Sequence, residues 1–134
     1  MWRLASDGDY KMARKKLIFF ADHADTIPSG PVWTAYHFAL VAHRAGLEAE
    51  IRLAAGALDI FKREHTALSK DADNMTVMMH EAVDSGLFIS ACVNSVNKRE
   101  GIEDKLRRWG AVSRELKDVL TEVADGRSEL IYMG

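Results

Sequence analysis

Short apolar runs alternate with segments of helical period along most of this chain, and that alternation is the strongest restriction on its fold. Leu17-Ile18-Phe19-Phe20-Ala21 is a continuous apolar run, as in a strand buried on both faces. A polar loop with turn formers, Asp22 to Gly30, leads to Pro31, suited to a first helical turn, and to a helix over Val32–Ala45 that Gly46 closes. Ala49 to Ala54 alternates as a second strand, broken by Gly56, and residues 57–68 hold a short helix around Leu58, Ile60 and Phe61. Asp73 or Asn74 caps a helix over Met75–Ser85, stopped by Gly86. Leu87–Ala91 is the third strand and Ile102–Trp109 a short amphipathic helix. Gly110–Ser113 is a brief fourth strand, and Leu130–Met133 is the last. Between these two, Glu115–Ala124 is a helix with Leu116, Val119, Leu120 and Val123 as its buried stripe.

This order predicts an α/β fold: a single-domain three-layer sandwich with a mostly parallel sheet of about five strands, flanked by helices. The 134 residues suffice for one core and not for two. Residues 1–14 show no period and read as an N-terminal leader to a domain over 15–134.

Charge and motif content narrow the function. With 18 Lys and Arg against 20 Asp and Glu, the chain has no basic excess for nucleic acid or an anionic membrane. No apolar run approaches the roughly 18 residues of a membrane span, and the basic residues before Lys16 lack the apolar stretch of a secretory signal, so a cytoplasmic location is expected. One cysteine rules out an internal disulfide framework and a multi-thiolate zinc site. None of the five histidines forms an i, i+4 pair, so no metal is expected. The phosphate loops G-x-x-x-x-G-K-[ST] and G-x-G-x-x-G and the hydrolase elbow G-x-S-x-G are absent, and no cofactor is expected.

The remaining chemistry gathers at Cys92, where the third apolar run ends and the polar stretch through Asn94 and Ser95 begins. Ligands in open parallel sheets collect beyond the carboxyl ends of the strands. A thiol there is a nucleophile, and nearby N–H groups with Lys98 or Arg99 would favour the thiolate. The competing reading is a small buried hydrophobe. Asp22, His23 and Asp25 follow the first strand; if the first and third strands are neighbours, His23 overlooks Cys92 as a base or proton donor. Ser29 and Gly30 precede a helix and offer N–H groups to an anion. The Val32–Ala45 helix is apolar nearly all round, which predicts a second copy of the chain against it.

The order of these elements, the strand ending in Cys92, the C-x-x-S of Cys92-Val93-Asn94-Ser95 and the following Gly101-Ile102 pair resemble the DsrE/DsrF-like family of small sulfur-relay proteins. The resemblance spans residues 15–134 in outline. It implies an α/β fold, a homo-oligomer (trimer or hexamer), and a strand-end cysteine, here Cys92, that takes a persulfide from a sulfur donor protein and passes it to an acceptor protein. The family also contains subunits without sulfur transfer of their own. A non-catalytic assembly subunit, or a small-ligand binder at the same strand edge, is therefore the alternative.

Overall fold

The computed structural model describes residues 14–24, 30–63 and 72–134. Its frame is one five-stranded sheet: β1 (Lys16–Ala21), β2 (Ala49–Leu53), β3 (Phe88–Cys92), β4 (Ala111–Arg114) and β5 (Ser128–Tyr132). The helices are α1 (Pro31–Arg44), α2 (Asn74–Asp84), α3 (Val93–Asn97), α4 (Glu103–Arg108) and α5 (Leu116–Ala124), with a 3-10 segment over Ala55–Lys62. The predicted leader, apart from Arg14, and the end of the predicted 57–68 helix lie outside the described residues.

Local chemistry sets the element ends. Pro31 opens α1 behind Gly30, and Gly46, at φ +82°, takes the left-handed conformation that turns the chain toward β2. The Asp73 carboxylate accepts from the Thr76 N–H at 2.8 Å and caps α2. The Thr76 hydroxyl, that backbone bond and the Arg63 guanidinium together outweigh the small effect of burial and hold the Asp73 carboxyl down at about 2.

The strand order is β4-β3-β2-β1-β5, with every neighbouring pair parallel. β1 through β4 step in one direction, and β5 returns to the far side of β1. Right-handed crossovers put the earlier helices on one face and turn α5 to the other, because only that connection runs backwards. The result is the predicted three-layer α/β architecture.

The first face is the core. Phe19, Ala21, Ile51, Leu53, Ile89, Ala91 and Ala111 share it and pack with α1, α2 and the apolar side chains around α4. Trp109 is the largest fully buried side chain, and its Nε1 donates to the Arg63 carbonyl at 3.1 Å. The opposite face carries Lys16, Ile18, Phe20, Glu50, Arg52, Phe88, Ser90, Cys92, Val112 and Arg114 by strand alternation. Among the described residues α5 covers it, lying against β5. The stripe predicted for α5 is accordingly half realised: Val119 is buried, while Leu116 and Leu120 are each 47% exposed. The period is right, but period alone does not decide which residues of the stripe are covered.

Candidate functional site

Cys92 is both the last residue of β3 and the N-cap of α3. Its register partner on β4 is Arg114. After β3 the chain leaves for the core face, and after β4 it leaves for the other, so the two strands part at their carboxyl ends. Such a switch point is where open α/β sheets form a crevice.

The thiol is half-buried and free. Burial alone would push its pKa up, but the backbone N–H groups of Ser95 and Asn94, the Arg52 charge and the Ser95 hydroxyl together bring it below the ordinary thiol value. The Cys92 side chain makes no cap hydrogen bond of its own at the start of α3. The Ser95 hydroxyl also accepts from the Ala55 N–H at 2.8 Å, tying the cysteine turn to the end of β2. Ala55 is held there at φ +50°, a left-handed conformation unusual for a residue with a Cβ.

Of the residues singled out from sequence, Asn94 and Ser95 join Cys92. Asp22 and His23 lie elsewhere along the edge. β2 stands between β1 and β3, so the neighbouring-strand condition for a His23 base is not met. His23 Nδ1 lies 2.7 Å from Asp22 Oδ1, and the Tyr132 hydroxyl donates to the same oxygen at 2.9 Å. Gly30 is the N-cap of α1 and its carbonyl accepts from the Thr34 N–H. Ser29 and Asp25 lie outside the described residues. Arg99 is engaged with Asp59 and the Ser95 carbonyl, and the cation that acts on Cys92 is Arg52 from β2.

Sequence reasoning missed Arg52. Glu50-Ile51-Arg52 reads only as the alternation of a strand, yet every residue of β2 is buried. Glu50 is wholly buried and accepts from Lys16 Nζ at 2.7 Å, Ser90 Oγ at 2.6 Å and Arg114 Nη1 at 2.9 Å. Glu122 of α5 closes the cluster by pairing with Lys16 at 2.8 Å and with Arg114. Phe88 lies over both cations, 5.5 Å from Lys16 Nζ and 6.0 Å from Arg114 Cζ. The available signal was a charged pair placed centrally between two strongly apolar strands.

Among the described residues no group of three His, Cys, Asp or Glu side chains is gathered to hold a metal ion, and no helix is long and apolar enough to cross a membrane.

The molecule is thus a single-domain α/β fold with a parallel five-stranded sheet and a thiol at its β3–β4 switch point. Solved structures share this fold. The ychN protein from E. coli matches with a TM-score of 0.64 and 14% identity, over 89% of this chain and 98% of that one. BT1422 from Bacteroides thetaiotaomicron, a conserved protein of unknown function, matches with a TM-score of 0.61 and 17% identity, over 88% of this chain and 94% of that one. No protein-family model matches the sequence, and no curated protein matches it.

Proposed function

We propose that this protein is a sulfur carrier of the DsrE/DsrF-like kind, a sulfurtransferase in its chemistry, with Cys92 as the persulfide site. The observation that carries the reading is the half-buried strand-end sulfur whose surroundings favour its anion. The Cys92 thiolate attacks the outer sulfur of a donor persulfide, R–S–SH. The donor's S–S bond breaks, R–S⁻ leaves, and Cys92–S–SH forms. A thiolate on the acceptor then attacks that outer sulfur, and Cys92 departs as thiolate. A thiol with a lowered pKa is the better leaving group in the second step. Neither step needs a metal or an organic cofactor.

The donor and acceptor are partner proteins, and the working form is a cytoplasmic homo-oligomer, a trimer or hexamer. Phe38 and Val41 of α1 support the oligomer: they are 47% and 52% exposed beside an apolar groove that includes Phe19, Ala42 and Leu47.

Intact-mass spectrometry after incubation with polysulfide tests the carrier reading. The wild-type chain gains one reducible sulfur atom, and Cys92→Ser gains none. An unmodified wild-type chain whose thiol also resists alkylation would point instead to the assembly or ligand-binding role.

A further inference from the structure

The charged cluster under Phe88 does not balance on its own. Lys16 and Arg114 are matched by Glu50 and Glu122. Arg52 is the fifth ion. It is 2% exposed and forms no ion pair with a carboxylate among the described residues. Its Nη1 donates to the Arg114 carbonyl at 2.8 Å and to Ser90 Oγ at 3.3 Å. The side chain starts on β2 and reaches a carbonyl on β4, so the guanidinium spans β3 alongside Ser90 and Cys92. Its Nη2 is buried and meets no protein acceptor at hydrogen-bond geometry. An unmatched cation with an open donor is costly in such a place. The next side chain on this face of β3 after Ser90 is Cys92, opposite Arg114.

We propose that Arg52 is the positioning residue of the Cys92 site: its open Nη2 and unmatched charge hold the sulfur as an anion and orient it at the β3–β4 edge. The thiolate completes the cluster, giving three cations and three anions. The persulfide anion keeps the same balance once the sulfur is loaded; that extension rests on the carrier reading, whereas the thiolate role does not. The charged groups facing this position are Lys16 from β1, Glu50 from β2, Arg114 from β4 and Glu122 from α5, all matched with one another. Beyond α3, Arg99 is matched by Asp59.

The test is the pH dependence of Cys92 alkylation by iodoacetamide in the full chain, comparing wild type with R52M, R52Q and R52K. The midpoint is read, since it does not depend on how open the thiol is. In R52M and R52Q the midpoint rises by about one pH unit, and alkylation at neutral pH slows about tenfold. R52K keeps the charge and stays near the wild-type midpoint. If R52M does not fold by circular dichroism, R52Q carries the neutral arm. An unshifted midpoint in the neutral variants overturns the proposal. So does an R52K shift as large as theirs, which would mean that packing of the fork, not its charge, matters. Persulfide loading followed by intact mass on the same proteins separates the two readings. A shifted midpoint with no loading of wild type keeps Arg52 and removes the carrier function. Loading with an unshifted midpoint does the reverse.

Discussion

The two faces of the sheet are built from the same strands, residue by alternate residue, yet they do opposite work. On the core face, β2 contributes Ala49, Ile51 and Leu53 to a continuous apolar cluster under α1 and α2. On the other face the same strand contributes Glu50 and Arg52 to a buried ionic cluster, roofed in part by Phe88 and α5. Around that roof Phe88, Val112, Leu116 and Leu120 remain 44–48% exposed. The two faces divide the labour. Burial of apolar area holds the domain together on one side. The other side carries fixed charge that is costly to bury and ends at the thiol.

The largest effect is expected on the core face, where Trp109→Ala leaves a cavity and deletes the bond to Arg63. It should cost about 3–5 kcal/mol in urea unfolding while leaving the alkylation midpoint of Cys92 where it was. Glu50→Gln, on the ionic face, leaves Lys16 and Arg114 half-matched. It should cost about 3 kcal/mol, toward the lower end for a broken buried pair because Glu122 still serves both cations. A loss well under 1 kcal/mol there would mean that water reaches the cluster and the two faces differ less than drawn. Leu120→Ser is the mildest change. In dilute protein its cost should stay within about 0.5 kcal/mol, as for an exposed position. A deficit that grows with protein concentration would mark the open apolar rim as a contact between copies.

Much of the fold was legible in the sequence because it is written locally. Apolar runs, the Asp73 cap and the glycine after α1 are read within a few residues of chain. Strand order is not of that kind. That β2 separates β1 from β3 depends on pairings between residues more than thirty positions apart, such as Leu17 with Ala49. This is why His23 could be imagined beside Cys92. Coverage was equally hidden. Period identifies which residues of β2 and α5 share a face, but not whether that face is roofed, so the burial of Glu50 and Arg52 goes unread and Leu116 and Leu120 read as buried. At the site, the position of Cys92 was evident from the run that precedes it. The cation acting on it was sought among its sequence neighbours Lys98 and Arg99, whereas it arrives from forty residues upstream, on the paired strand β2.

Glu50 has one more consequence, for how the chain finds its alignment. Its carboxylate is reached from β1, β3 and β4 at once, through Lys16, Ser90 and Arg114. Parallel strands rich in Val, Ile and Leu can slide past one another with little penalty, since one apolar neighbour serves nearly as well as the next. A one-residue slip of β2 would here carry Glu50 and Arg52 into the apolar layer under α1 and present Ile51 and Leu53 to Lys16 and Arg114. The buried carboxylate therefore works as an index pin: it is fully satisfied only when β1, β3 and β4 stand in register with β2.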